Sequence, residues 1–254
     1  MRNVLIFLLS LFSLLCNGQS PKLFTTDKEL SSSLINQIYQ DRNGFIWIAT
    51  EDGLNSYDGA KFTIYKHEPN NEHSLAHNFV RTVFEDSKGH LLIGTYIGIQ
   101  MYDPATDNFT PLAKLEDTGE TLESNINSFI ERKNGEIWVS GNVLCKLNIK
   151  DHLLTVRKVD IAVTSPGSLF EDKKQNVWMA KGEEGVYQLT PDNQLTLHLS
   201  KDNGYVKSIC EDQRGNIYVG SIRKGLFIYD KECKTFVPVD LKEKGELPLF
   251  WYTK

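Results

Sequence analysis

The sequence has few of the features that mark membrane-spanning, nucleic-acid-binding or disulfide-rich proteins. After residue 18, no apolar run approaches the ~20 residues that a membrane-spanning helix needs. Lysine and arginine total 28 against 33 acidic residues, without a basic stripe, so nucleic acid is not expected as a partner. Of the 4 cysteines, those after residue 18 have no repeat-fixed spacing, which argues against a disulfide framework.

Residues 1–18 have the composition of a signal peptide. Arg2 supplies a positive charge, an apolar stretch runs from Val4 to Leu15, and small residues precede a cleavage point after Gly18. A lipoprotein acylated at Cys16 is the alternative, and the bulky residue before that cysteine disfavours it. We therefore expect an exported protein whose mature chain has no transmembrane helix.

Five imperfect copies of one pattern fill most of the remaining chain. A turn position recurs at spacings of 45, 46, 40 and 40 residues, at Gly44, Gly89, Gly135, Gln175 and Gly215. Three residues later stand Trp47, Leu92, Trp138, Trp178 and Tyr218. Each copy offers four strand-like runs separated by turn signals. This period and strand count predict an all-β fold, a β-propeller of about five four-stranded blades.

The repeats set the expected domain organisation. Residues 19–34 lead into the repeats at 35–240, with blades at about 35–66, 80–113, 126–159, 166–200 and 206–240. Residues 241–254 start a sixth blade or form a closing strand. Two alternatives stay open: five blades close by themselves, or the chain is the front part of a larger, seven-bladed propeller. An open arc would expose apolar blade faces, which predicts a dimer or poor solubility.

The fourth copy departs most from the pattern. Gln175 stands where the other copies have glycine, so the turn either is strained or shifts the strand register by one. The run from Val163 to Gly167 is also weak for an innermost strand.

Residues that recur in the repeat are expected to be structural. Trp47, Trp138 and Trp178 share one strand position, which favours packing between blades over sugar stacking. The recurring carboxylates are expected to cap turns through backbone N–H groups: Asp41, Asp86, Asp172 and Asp212 in one turn, and Asp58, Asp103 and Asp230 in another.

The repeat resembles the two-component regulator propeller repeat, found in the exported sensor region of bacterial hybrid two-component histidine kinases. The resemblance is carried by Asp41-x-x-Gly44-x-Ile46-Trp47-Ile48-x-Thr50, Gly53-Leu54-x-x-Tyr57-Asp58 and Pro69-Asn70-Asn71-x-x-Ser74-Leu75. It spans most of 31–240, with blades one, two and five matching best.

The resemblance implies a non-enzymatic periplasmic propeller of a two-component signalling system. Its ligand would be an oligosaccharide or another small extracellular molecule. Its protein partner would be the remainder of a hybrid sensor kinase, or a second copy of the chain. The sequence contains no phosphoacceptor helix, ATP-binding glycine-rich box or receiver domain, so this chain is not expected to be a kinase by itself.

Propeller ligands usually gather where the loops between strands two and three approach the central channel. The candidate ligand-binding residues there are Glu51, Asp52, Tyr96, Asn142, Lys181, Arg223 and Lys224. Tyr96 would stack on a sugar ring, while Asn142 and the cations would bond to hydroxyls or a carboxylate. The alternative is a solvated loop rim.

No catalytic residue, cofactor or metal site is predicted. The one metal-like cluster combines His67, Glu68, Glu72, His73 and His77, but it lies in a Pro/Asn-rich loop with no ordering pattern. A propeller glycoside hydrolase or lyase is one competing function, although the recurrent carboxylates occupy turn positions. An envelope protein-interaction scaffold is another.

Overall fold

The computed structural model describes residues 23–26, 29–199 and 204–239, and they form five sheets that are antiparallel except for one added parallel strand. Within these ranges there is no helix, and therefore none that could cross a membrane. Every sheet takes four consecutive strands paired in sequence order, which is the meander of a propeller blade. The predicted all-β propeller architecture is confirmed. The proposed leader at 1–18 and the closing segment at 241–254 lie outside the described residues.

The first two blades follow each other closely. Blade 1 consists of β1 Ile35–Gln40, β2 Ile46–Thr50, β3 Gly53–Tyr57 and β4 Phe62–Tyr65. Blade 2 consists of β5 Val80–Glu85, β6 Leu91–Thr95, β7 Ile99–Asp103 and β8 Asn108–Phe109.

The remaining blades repeat this order after one extra strand, β9 Lys114–Leu115. Blade 3 consists of β10 Ser128–Glu131, β11 Ile137–Ser140, β12 Leu144–Lys150 and β13 Leu153–Lys158. Blade 4 consists of β14 Leu169–Glu171, β15 Val177–Lys181, β16 Gly185–Leu189 and β17 Leu195–Leu199. Blade 5 consists of β18 Tyr205–Glu211, β19 Ile217–Ile222, β20 Gly225–Asp230 and β21 Thr235–Pro238.

Strand β9 ties two blades together. It follows blade 2 in the chain, yet it pairs in parallel with β13 at the outer edge of blade 3, placing Lys114 opposite Thr155 and Leu115 opposite Val156. The edge of blade 3 is therefore covered, which removes unpaired backbone groups from solvent.

The core lies between the blades. Innermost strands of successive blades pack side by side, β1 with β5, β5 with β10, β10 with β14 and β14 with β18. Each of four hydrophobic clusters combines two successive blades, as where Trp47 of blade 1 packs with Val83 of blade 2. Trp47, Trp138 and Trp178 are all buried, so their predicted role in packing is confirmed.

A compact hydrogen-bonded unit explains why the turn aspartates recur. One oxygen of Asp41 accepts the N–H groups of Asn43 and Phe45 at 2.9 and 3.0 Å, and the other accepts Trp47 Nε1 at 2.8 Å. Asp172 repeats this with Trp178 Nε1 at 2.9 Å. The carboxylate thus closes the turn and orients the buried indole. The capping role predicted for these aspartates is confirmed, including the N–H bonds to Asp58, Asp103 and Asp230.

Gln175 adopts the backbone conformation of the glycine it replaces. Its φ is 67°, and its N–H bonds Asp172 O at 2.9 Å, as Gly44 N bonds Asp41 O at 3.0 Å. The register is unshifted, because Trp178 lies opposite Phe170 as Trp47 lies opposite Tyr39. Of the two expectations for this turn, backbone strain is therefore the one observed.

A second repeated carboxylate joins neighbouring blades. The last residue of the innermost strand in blades 2 to 5 is glutamate, and it accepts the backbone N–H of the residue two before the turn position in the preceding blade. The acceptors are Glu85, Glu131, Glu171 and Glu211. In two junctions a guanidinium adds an ion pair, between Arg42 and Glu85 at 2.6 Å and between Arg132 and Glu171 at 2.8 Å. Blade 1 has Gln40 at this position.

The outward face of blade 1 is uncovered among the described residues. Ile38 is 61% exposed, whereas the corresponding residues of the later blades are between 1% and 8% exposed: Val83, Phe129, Leu169 and Ile209. Each of those residues is covered by the blade that precedes it.

The three cysteines in the described ranges are free. Cys145 is buried, Cys210 is half-buried and Cys233 is exposed. Burial raises the pKa of the Cys145 thiol to about 11.

Candidate functional site

The turns between the second and third strands of the blades present the predicted ligand-binding residues. They follow β2, β6, β11, β15 and β19, and the common strand order puts them all at one end of the propeller. Two of the seven residues, Tyr96 and Asn142, line one cleft at the junction of blades 2 and 3. We call it the Tyr96 cleft.

The Tyr96 cleft has a volume of about 620 Å³ and walls of mixed polarity. Its lining is Tyr96, Ile97, Leu112, Thr121, Glu123, Ser124, Asn125 and Asn142. An aromatic ring, hydroxyls, amides and one carboxylate therefore face the same space. This combination suits a polar ligand that also has an apolar face.

Tyr96 is held at the cleft by its backbone and by a row of rings. Its N–H bonds Phe79 O at 3.0 Å, and its ring lies 6.0 Å from the Phe79 ring and 5.6 Å from the His77 imidazole. The side chain is nevertheless 52% exposed. A ring that is packed on one side and open on the other is a preformed stacking surface.

The opposite wall is fixed by Ser124. Its Oγ accepts the N–H of Asn142 at 2.9 Å, and its own N–H bonds Ile97 O at 3.3 Å. This close approach requires Gly141, because a Cβ there would lie 2.7 Å from Asn125 O. The cleft walls are thus tied to both blades.

Two unsatisfied polar atoms lie at this same junction. Within the described ranges, the buried side-chain nitrogen and oxygen atoms that lack a hydrogen-bond partner are Arg81 Nε and Asn125 Oδ1. Asn125 lines the cleft, and Arg81 belongs to the innermost strand of blade 2. The sequence pattern does not distinguish Ser124, Asn125 or Arg81, because none of them stands at a repeated position with a distinctive residue type.

The structure places the other five predicted residues around the rim, away from the lining of the cleft. Asp52 is engaged by Lys66 Nζ at 2.5 Å and by Asn78 Nδ2 at 3.0 Å, next to the exposed Glu51. Lys181 pairs with Glu184 at 2.7 Å. The remaining two, Arg223 and Lys224, are exposed in the blade 5 turn.

The histidine-rich loop of residues 67–77 is held by bonds to its own chain. His67 Nδ1 lies 2.9 Å from Leu75 O, His77 Nδ1 accepts the N–H of Phe79 at 2.9 Å, and Glu68 accepts Asn71 Nδ2 at 2.8 Å. Nowhere in the described part of the chain do three or more histidine, cysteine, aspartate or glutamate side chains come together as metal ligands.

A second cleft, of about 360 Å³, lies between blades 1 and 2 and includes Trp47, Tyr65, Tyr102 and Asp107. Asp107 accepts both tyrosine hydroxyls, at 2.7 and 2.8 Å. The same aromatic arrangement recurs between blades 4 and 5, formed there by Trp178, His198, Tyr229 and Phe236. Because this aromatic arrangement recurs at two blade junctions, we assign it to packing between blades and not to ligand binding.

Comparisons with known proteins agree with this architecture. Residues 29–52, 74–96 and 200–223 match the family described as two component regulator propeller. The middle segment ends at Tyr96. Histidine kinase P4 of Formosa agariphila is 39% identical over 83 residues, which cover 30% of this chain and 6% of the kinase. The chain therefore corresponds to a small fraction of that relative.

Solved structures of low identity share the fold. The extracellular domain of a hybrid two component system from B. thetaiotaomicron is 18% identical, with a TM-score of 0.69 over 86% of this chain and 32% of that one. Virginiamycin B lyase from Staphylococcus aureus is 13% identical, with a TM-score of 0.60 over 85% of this chain and 71% of the lyase. The two neighbours show that one architecture accommodates the extracellular domain of a two component system and an enzyme. The described chain is a five-bladed propeller, and segments of its blades 1, 2 and 5 match the two component regulator propeller family.

Proposed function

We propose that this chain is the ligand-binding propeller of a bacterial two-component sensor and that it recognises an oligosaccharide in the Tyr96 cleft without transforming it. The carrying observation is the half-exposed, backbone-anchored Tyr96 ring, which faces hydroxyl and amide groups across a cleft of about 620 Å³. A sugar ring presents an apolar face that can stack on Tyr96 and hydroxyl groups that can hydrogen-bond to the polar residues of the cleft.

The comparisons support this proposal at the level of the protein family. The repeats that match the regulator propeller family include the strand and turn that carry Tyr96. The relatives include a histidine kinase and the extracellular domain of a hybrid two component system. We accordingly place the chain in the periplasm, after export through the leader at 1–18. The partner that receives the signal is the remainder of a sensor kinase or a second copy of the chain.

A propeller lyase or hydrolase is the second candidate, because virginiamycin B lyase shares the fold. The distribution of carboxylates favours the sensor. Hydrolysis of a glycosidic bond uses two carboxyl groups roughly 5–9.5 Å apart. The recurrent aspartates are bonded within their turns, and Glu123 is the one carboxylate among the residues described as lining the cleft.

Glycan-array screening followed by calorimetry on the purified secreted chain tests the proposal. Tyr96→Ala should weaken binding of the best glycan at least tenfold, because stacking on the ring is lost, while Tyr96→Phe should retain most of the affinity. Tyr205→Ala is the matched control, since Tyr205 is a similarly exposed tyrosine in blade 5. Equal losses in both alanine variants would place the ligand elsewhere.

The same samples distinguish the competing functions. Mass spectrometry of the glycan after long incubation should find it unchanged, and cleavage would establish the enzyme instead. If no glycan on the array binds, the proposed function fails and the interaction scaffold becomes the better account.

A further inference from the structure

The innermost segments carry polar residues at one shared position in four of the five blades. The second residue of each innermost segment is Asn36, Arg81, Asn127, Gly167 or Lys207. Three of these side chains reach from one blade to the next: Asn36 Nδ2 donates to Val80 O at 2.8 Å, Arg81 Nη1 to Asn127 Oδ1 at 3.1 Å, and Asn127 Nδ2 to Pro166 O at 3.0 Å. The set contains two cations and no carboxylate.

Arg81 is the member of this set that lies next to the Tyr96 cleft. Its guanidinium carbon lies 5.4 Å from the centre of the Phe79 ring, which in turn lies 6.0 Å from the Tyr96 ring. Asn127, to which it bonds, is two residues beyond Asn125 in the cleft wall. The cation is therefore separated from the stacking surface by a single aromatic ring.

The hydrogen bonding of Arg81 is incomplete. Nη1 is used by Asn127, whereas Nε is buried and has no partner. Burying a donor without a partner costs about 1–3 kcal/mol, and such groups in folded proteins call for an explanation. The edge formed by Nε and Nη2 is the one that meets carboxylate or sulfate oxygens in pairs. The side chain is only partly buried, and contact with a ligand in the cleft requires a rotation of its terminal torsions that turns this edge outward.

The charge balance at the site favours an anion despite Glu123. That carboxylate is exposed, so water and salt screen it, whereas the Arg81 guanidinium is partly shielded and acts at lower dielectric. Lys207, at the same strand position of blade 5, is exposed like Glu123, so Arg81 is the cation on which the charge preference depends.

We propose that the Tyr96 cleft binds an acidic saccharide and that Arg81 selects for its negative charge. The carboxylate or sulfate of the ligand accepts hydrogen bonds from the guanidinium, while a sugar ring stacks on Tyr96. This inference rests on the proposed function and narrows its ligand class. Arg81 is a specificity residue in this role, since it distinguishes charged from neutral members of one sugar series.

The test uses pairs of probes that differ in charge and share one sugar skeleton. Galacturonate, glucuronate and mannuronate oligosaccharides are compared with their methyl esters, and sulfated galactan oligosaccharides with their desulfated forms. Calorimetry on the full secreted chain should show at least one acidic member binding tenfold or more tighter than its neutral counterpart. Comparing the uronate pairs with the sulfated pairs then shows whether a carboxylate or a sulfate is recognised.

Variants connect the preference to Arg81. Arg81→Gln should remove the difference between the acidic probe and its neutral counterpart, leaving the affinity for the neutral one within about twofold, and Arg81→Lys should retain part of it because an ammonium cannot form the paired bonds. Lys88→Gln is the control for net charge, since Lys88 is exposed in the turn before β6, at the opposite end of that strand from Tyr96. Thermal melting of each variant checks folding.

The possible results separate the two proposals. Neutral and acidic members binding alike, or a charge preference that survives in Arg81→Gln, overturns the role of Arg81 and leaves the glycan sensor standing. No binding by any pair overturns the proposed function and this inference together.

Discussion

The carboxylate of Glu85 accepts the backbone N–H of Arg42 at 2.8 Å and pairs with the guanidinium of the same residue at 2.6 Å. One side chain of blade 2 thus fixes both the turn and the side chain that blade 1 presents to it. Equivalent glutamates act at the next three junctions. The blades are therefore joined by a specific polar contact in addition to apolar packing.

Removing this contact at the third junction should destabilise the propeller. Glu171 is 7% exposed and accepts Arg132 Nε at 2.8 Å and Lys133 N at 2.7 Å. Glu171→Ala leaves both donors without their acceptor, so we expect a loss of about 2–3 kcal/mol in the free energy of unfolding. Urea titration followed by tryptophan fluorescence measures it.

Glu211→Ala is the matched comparison, since Glu211 accepts Lys173 N at a longer 3.2 Å. The loss there should be smaller. Equal effects at both sites would show that the ion pair of Glu171 adds nothing to stability.

Replacing Gln175 by glycine should stabilise the fourth blade. Its φ of 67° is strained for a residue with a side chain, and relief of that strain is expected to gain about 1 kcal/mol, partly offset by the greater freedom of glycine when unfolded. At this chain length that gain raises the melting temperature by roughly 2–4 °C.

Gly135→Ala provides the reverse experiment. Gly135 has a φ of 82°, and an added Cβ would meet no atom within 4 Å, so strain alone acts. This variant should lose stability by a similar amount. An unchanged melting temperature in both variants would contradict the strain that we assign to this turn.

Stability should depend on pH through Glu136. Its hydrogen bond from Lys146, at 2.5 Å, is the main cause that lowers the pKa of the carboxyl to about 2 from its ordinary 4.5. A lowered folded-state pKa stabilises the protein above the unfolded value, and this contribution disappears as pH falls from 4.5 toward 2. Lys146→Met should therefore destabilise the protein at neutral pH and progressively less in acid.

Urea titrations of both proteins between pH 7 and pH 2 test this, with Lys150→Met as the exposed control. A difference between wild type and Lys146→Met that stays constant over the whole range would exclude Glu136 as its source.

Cysteine alkylation should report the packing between blades 2 and 3. Cys145 is buried, and at a pKa of about 11 only on the order of one thiol in a thousand is ionised at pH 8. Iodoacetamide should modify the exposed Cys233 rapidly and leave Cys145 intact until urea unfolds the chain. Peptide mass spectrometry assigns the sites, and Cys233→Ser confirms which residue reacts first.

The repeat made most of the fold predictable. A turn position recurring every 40–46 residues required four short strands per unit, and five such sheets are observed. The pairing of β9 with β13 was not predicted, because a two-residue strand is specified by its distant partner and not by local sequence. The glutamates at 85, 131, 171 and 211 were also not predicted, although their recurrence four residues before the turn position is visible in the sequence.

The candidate site was less predictable than the fold. The sequence placed Tyr96 and Asn142 in turns at one end, and the structure brings these two into one cleft. It gave no indication of Ser124 or Asn125, which come from an irregular segment whose path depends on Gly98 and Gly141 lying close to neighbouring chain.

The uncovered face of blade 1 has a consequence for how the protein opens. Fully burying an isoleucine side chain stabilises the folded state by about 1.5–3 kcal/mol. Ile38 is 61% exposed and so gains little of this free energy, whereas the corresponding buried residues of blades 2 to 5 gain most of it. Among the described residues, blade 1 also has no glutamate contact to a preceding blade. Amide hydrogens in β1 and β2 should therefore exchange with deuterated solvent sooner than those in β10 and β11. Local unfolding then begins in blade 1, while the junction of blades 2 and 3 that forms the Tyr96 cleft stays folded.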